Sequence, residues 1–160
     1  LADAAAGVCA AAAPAVAAAG MRLEAAVAPA LAARADPDAL AQCLHNLIDN
    51  ALKYAARGTV RLAAEASGGR VRLRVLDEGP GVAPALRARV FEPFERADSA
   101  LTAVNQGVGL GLAITRRLAA AMGGTVRYEP APGGGACFVV DLELWREAGH
   151  AREQAEGAGR

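Results

Sequence analysis

Two asparagines, a lysine and a tyrosine stand at helical spacing in residues 43–55, CLHNLIDNALKYA. Asn46, Asn50 and Lys53 recur at i, i+4 and i+7, so on a helix they share one stripe. Asparagine is a poor helix-interior residue, by up to about 0.7 kcal/mol relative to alanine. A solvated face is one reading. The other is chemical: amide carbonyls suit a hard cation such as Mg2+, which keeps waters and shares phosphate oxygens. Lys53, the only lysine in the chain, supplies a point charge for a phosphate.

A second constellation is VLDEGPGV, residues 75–82. A strand that ends in Asp77 and turns through Gly79, Pro80, Gly81 and Val82 can present one carboxylate at the strand end. A carboxylate only accepts hydrogen bonds, so it pairs with the amino group of adenine and not with the keto group of guanine. The glycines let the backbone pass beneath a flat base. As a bland alternative, the stretch is simply a turn.

The third is NQGVGLGLAI, where Gly107, Gly109 and Gly111 alternate around Leu110 before a helix. The dinucleotide fingerprint fails, because Leu112 and Ile114 occupy the required glycine positions, and no Gly-Lys-Ser/Thr follows. Glycine amides and a helix N-terminus still suit phosphate. Between the second and third stretches, FEPF (Phe91 to Phe94) reads as a hinge carrying a lid, from which Arg96 can reach a phosphate.

Jointly, and in this order, HNLIDNALKYA, DEGPGV, FEPF and GVGLGLAI resemble the N, G1, F and G2 boxes of the ATP-binding catalytic domain of sensor histidine kinases. The resemblance covers about residues 1–144. It implies the Bergerat-type fold shared with gyrase, MutL and heat-shock chaperone ATPases, binding ATP and Mg2+. Asn50 would be the principal Mg2+ ligand with Asn46 beside it, Lys53 and Tyr54 would approach phosphates or ribose, and Asp77 would hold adenine. In the hydrolytic members of that superfamily the position that Asn46 resembles is a glutamate that activates water. A carboxylate can act as a base and an amide cannot, so Asn46 favours phosphoryl delivery to another acceptor over hydrolysis.

By this resemblance the chain is the catalytic fragment of a two-component protein-histidine kinase, not autophosphorylating alone. The phosphoacceptor histidine would sit on a separate dimerisation domain of the same kinase, and a response regulator receiver domain would take the phosphate onward. His45, one position off the asparagine stripe, is then structural or exposed, and His150 lies in the tail. The alternative is a non-catalytic nucleotide-binding regulatory or scaffold domain of the same fold. Two residues depart from the pattern. Glu78 replaces the usual asparagine, and Ala136 stands where the last hairpin often has threonine.

These stretches need elements to position them. A chain of 160 residues fits one domain; residues 1–146 are assigned to it and 147–160 to a flexible tail. The net charge is +0, which excludes a general polyanion binder and hence a nucleic-acid partner. Three scattered cysteines imply neither zinc site nor disulfides, and point to a reducing cytoplasmic compartment. Residues 4–21 carry no charge but are mostly alanine with Pro14 and Gly20, so a surface helix is expected there, without direct membrane contact.

Periodicity predicts helices over 1–19 with an interruption at Pro14, 37–56, 84–90 and 112–122. Strands are expected over 21–29, 59–66, 70–77, 125–131 and 136–144, with 31–35 a possible short partner of the first. In the second helix Leu40, Leu44, Leu47, Ala51 and Tyr54 form the expected buried stripe. The order gives an α+β chain, a two-layer α/β sandwich in which helices cover one face of a mainly antiparallel mixed sheet.

Overall fold

The computed structural model describes residues 1–55, 57–94 and 109–145. Three helices, α1 (Ala2–Ala18), α2 (Pro37–Tyr54) and α3 (Gly111–Ala121), accompany strands β1 (Arg22–Ala26), β2 (Thr59–Ser67), β3 (Arg70–Leu76), β4 (Thr125–Pro130) and β5 (Ala136–Glu143). The sheet order is β1-β2-β3-β5-β4. Among the described residues only β1 and β2 pair in parallel; the other strand pairs are antiparallel. The expected two-layer sandwich is the fold.

One core fills the space between helices and sheet. Val71, Leu73 and Val75 of β3 are buried while Arg70, Arg72 and Arg74 are only half-buried, as strand alternation demands. They meet Phe138, Val140 and Leu142 of β5, which lies between β3 and β4 in the sheet. From α2, Leu40, Leu44, Leu47, Ile48 and Ala51 enter this core. Each large aliphatic buried there stabilises the fold by roughly 1.5–3 kcal/mol.

The start of α2 follows its sequence signals. Asp36 accepts a hydrogen bond at Oδ1 from the Ala39 amide at 2.8 Å, and Pro37 opens the helix. Tyr54 departs from expectation: it is 40% exposed rather than part of the buried stripe. It is the last residue of α2, and the buried stripe passes from Ala51 to Ala55, four residues on, which leaves Tyr54 beside it on the exposed side. Pro14 does not interrupt α1, because Ala10, whose carbonyl loses its partner there, and Pro14 both lie on the exposed face. Residues 84–86 form a short 3-10 turn rather than a helix over 84–90. Residues 31–35 do not join β1; Ala33 bridges Leu144 instead, with the Arg34 amide donating to the Glu143 carbonyl at 2.8 Å.

The opposite face of the sheet is roofed by arginine. Val139 is fully buried although it faces away from the helices, flanked in register by Arg74 and Arg127, whose aliphatic stems can cover apolar surface. Asp141, also on this face, receives Nε of Arg70 at 2.6 Å and Nε of Arg72 at 3.3 Å. Burial opposes its ionisation, but those hydrogen bonds and charges prevail and hold its carboxyl below the usual value.

Candidate functional site

Asp77 follows β3 directly and is 7% exposed. Its Oδ1 accepts two backbone hydrogen bonds, from the Gly79 amide at 2.9 Å and the Ala136 amide at 3.1 Å. The Asp77 amide in turn donates to the Ala136 carbonyl at 2.9 Å. Oδ2 takes no hydrogen bond among the described residues. No buried side-chain polar atom among them lacks a partner, so Oδ2 must reach solvent. Asp77 is thus an oriented acceptor with one oxygen satisfied and the other open.

The turn after Asp77 is held from two sides. Gly81 has φ 71, and a Cβ there would meet the Gly135 carbonyl at 2.7 Å, so only glycine fits. The Val82 amide donates to the Tyr128 hydroxyl at 3.2 Å, and the Val82 carbonyl accepts from Arg87 Nε at 3.0 Å. The Arg87 guanidinium lies over the Tyr128 ring, 5.7 Å from its centroid. Tyr128 packs on Phe138 at 5.7 Å, and Phe138 meets Phe91 edge-on at 6.0 Å. An aromatic row therefore runs from the FEPF stretch to the turn. Glu78, the departure noted above, ties the turn to β2: its Oε2 accepts from the Thr59 amide at 3.1 Å and its Oε1 pairs with Arg61 at 3.3 Å.

On α2 the asparagines part company. Asn50 is half-buried and its carboxamide has no hydrogen-bond partner among the described residues. Lys53 is exposed at the C-terminal end of the helix, likewise without an ion-pair partner among them. Asn46 is engaged instead. Its Nδ2 donates to the Gly111 carbonyl at 3.2 Å and approaches Thr115 Oγ1 at 3.4 Å, while its Oδ1 accepts from Gln42 at 2.9 Å. The structure brings Asn46 and Gly111 together across 65 residues of sequence. His45 is half-buried with no side-chain partner among the described residues.

Gly109, Leu110 and Gly111 lead into α3. Gly109 has φ 74, and its carbonyl accepts from the Phe94 amide at 3.1 Å, which joins the two ends of the 95–108 connection. Phe94 is 69% exposed and itself has φ 64. The N-terminus of α3 has neither a side-chain cap nor an acidic residue in its first turn, so its amides and positive dipole end remain available to an anion. Arg96 and Gly107 lie outside the described residues. No group of three or more His, Cys, Asp or Glu among the described residues could hold a metal ion. A cation here would rely on an amide oxygen such as that of Asn50 together with phosphate and water oxygens, a donor set that fits Mg2+.

Sequence reasoning did not single out Thr115, Tyr128 or Gly135. Thr115 is fully buried and its Oγ1 donates to the Gly111 carbonyl at 2.9 Å. A threonine four residues after a glycine at a helix start was the available signal.

The two-layer sandwich thus presents an open carboxylate at a strand end, an asparagine without a hydrogen-bond partner among the described residues on the helix layer, and an uncapped helix start. The sequence matches the family described as histidine kinase-, DNA gyrase B-, and HSP90-like ATPase over residues 35–146, and the chain belongs to it. Its relatives are sensor kinases. The Sensor protein RstB of Escherichia coli (strain K12) is 46% identical over 102 residues, 64% of this chain and 23% of that protein. The Sensor protein KdpD of Rathayibacter rathayi is 39% identical over 138 residues, 86% of this chain and 16% of that protein. The Sensor-like histidine kinase SenX3 of Mycobacterium bovis is 40% identical over 124 residues, 77% and 30%. The chain thus spans less than a third of each of these relatives. Among solved structures, full-length ShkA in complex with AMPPNP gives a TM-score of 0.77 at 41% identity, covering 89% of this chain and 29% of that one. The nucleotide-free catalytic domain of histidine kinase ThkA also gives 0.77, at 24% identity over 89% and 91%, a likeness of fold.

Proposed function

We propose that this chain binds Mg-ATP as the catalytic domain of a two-component sensor histidine kinase and delivers the γ-phosphate to a histidine on a separate dimerisation domain. The observation that carries the reading is Asp77: two backbone amides fix one oxygen, and the other is left to accept from an amino group such as that of adenine. Asn50 is the residue free to hold Mg2+, whose bound charge would neutralise phosphate oxygens. Lys53 and Tyr54, both exposed at the end of α2, would face phosphates or ribose. The uncapped start of α3 at Leu110 and Gly111, with Arg96 and Gly107 before it, would receive the phosphate chain.

Asn46 supplies no base for water, because an amide does not take up a proton at neutral pH. Phosphoryl transfer then rests on positioning and charge neutralisation. A receiver domain would be the onward partner. No helix among the described residues is long and apolar enough to cross a membrane; the site is proposed to work in the cytoplasm.

Calorimetry with a non-hydrolysable ATP analogue tests the reading. Wild type should bind, and Asn50→Ala should abolish the effect of Mg2+ on affinity. No binding at millimolar nucleotide would sink it. Mixing with the cognate dimerisation domain and labelled ATP should yield an acid-labile phosphohistidine. Tight ATP binding without that product would favour a regulatory domain.

A further inference from the structure

Asn46 and Asn50 lie one helical turn apart, yet their surroundings differ in kind. Asn50 has no hydrogen-bond partner among the described residues. Asn46 sits inside a five-residue cluster, with Gln42, Cys43, Gly111 and Thr115, that joins α2 to the start of α3. The Gly111 carbonyl receives both Asn46 Nδ2 at 3.2 Å and Thr115 Oγ1 at 2.9 Å. Thr115 is fully buried, and its own carbonyl takes the Cys43 thiol at 3.8 Å. A carbonyl can only accept, so the nitrogen of Asn46 must face Gly111. Gln42 then holds the oxygen from the other side at 2.9 Å.

We infer that Asn46 and Thr115 form a positioning pair that fixes the glycine-rich start of α3 against α2, and that Asn46 is not a magnesium ligand. This inference rests on the nucleotide-binding reading above for its functional consequence. The backbone of Gly109, Leu110 and Gly111 has no side chains of its own to lock it, apart from Leu110. Its placement comes from the Phe94 amide on one side and from this cluster on the other. Orienting amides in advance strengthens anion binding by avoiding the entropy of ordering them later. The oxygen of Asn46 is already engaged by Gln42 and its nitrogen is turned to α3, so Mg2+ is left to Asn50.

The test compares Asn46→Ala, Thr115→Val, Thr115→Ser and Asn50→Ala. Calorimetry with a non-hydrolysable ATP analogue is run with Mg2+ and with EDTA, and amide exchange is followed over residues 115–118. The ratio of the two dissociation constants is the magnesium effect. Asn46→Ala and Thr115→Val should each weaken binding by roughly fivefold to tenfold, as expected for losing one hydrogen bond, in both buffers alike. Their magnesium effect should equal that of wild type, and exchange at 115–118 should rise about tenfold. Thr115→Ser, which keeps the hydroxyl, should restore both readouts, and Asn50→Ala alone should remove the magnesium effect. Loss of that effect in Asn46→Ala, with exchange in α3 unchanged, would overturn the inference. If wild type binds no nucleotide, the functional reading fails. Exchange then still decides the brace, and wild-type rates in Asn46→Ala and Thr115→Val would refute it.

Discussion

Asp77 and Ala136 are joined in both directions: the amide of Asp77 donates to the carbonyl of Ala136, and the amide of Ala136 donates to the carboxylate of Asp77. The first bond carries the backbone ladder one step past the end of β3, and the second engages the side chain. The second bond aims the carboxylate without any help from a side chain on β5, so alanine suffices at position 136.

Asp77→Asn separates binding from stability. Asparagine keeps an oxygen for the Gly79 and Ala136 amides but replaces the open acceptor with a donor. Thermal unfolding should stay within about 1 kcal/mol of wild type, while affinity for an ATP analogue falls roughly tenfold to a hundredfold, the worth of a hydrogen bond to a charged group. A fall in stability matching the loss of affinity would make Asp77 a purely structural residue.

Tyr128→Phe keeps the ring on Phe138 but removes the acceptor of the Val82 amide. About 1 kcal/mol of stability should be lost, or roughly 3 °C in Tm. Differential scanning calorimetry reads this directly. An unchanged Tm would mean that Val82 finds water instead.

Asp141 gives the fold an acid-side dependence. Its folded carboxyl lies below its ordinary 3.8, so its stabilisation is present above that value and is lost as pH falls through the lowered one. Its arginine partners are about 37% exposed, so screening limits the effect to about 1–2 kcal/mol near neutrality. Urea titrations of wild type and Asp141→Asn should differ by that amount at pH 7, begin to converge only below 3.8, and meet once pH has fallen past the lowered value. Parallel curves across the whole range would exclude the ion cluster.

Cys43 acts at the other end of the scale. Burial pushes its thiol from 9.0 up to about 11. Its contribution is complete below 9.0 and is lost as pH rises toward the folded value. Stability should therefore fall between pH 9 and 11, and Cys43→Ala should flatten that slope. At pH 8 a thiol reagent should modify half-buried Cys9 before Cys43. Faster labelling at Cys43 would contradict its burial.

The elements legible in the sequence were those written in short periods. Leu40, Leu44, Leu47 and Ala51 mark a helix face, and Val71, Leu73 and Val75 a strand face, because each residue's neighbours on that face lie within four positions. Tyr54 continued the helical count but not the burial, since i+3 and i+4 spacing both fit a helix face and the stripe runs from Ala51 to Ala55 instead. Asp77 was legible as a strand-end carboxylate, and its open oxygen follows from that place. The engagement of Asn46 was not legible, because its partners Gly111 and Thr115 are 65 and 69 residues away. Periodicity carries no information over such a distance. The pairing of residues 31–35 with the end of β5 rather than β1 escaped for the same reason.

The parallel pairing of β1 with β2 makes α2 a crossover, the only kind of connection that can join such strands. During synthesis β1 emerges before the helix and before its own partner, and must wait for both. It has no fully buried residue to hold it meanwhile. That edge strand is held by β2 on one side and by α1 packed against it, and α1 in turn packs on α2. A ligand gripping α2 would steady that edge strand at one remove, through α1, without its own atoms ever touching it.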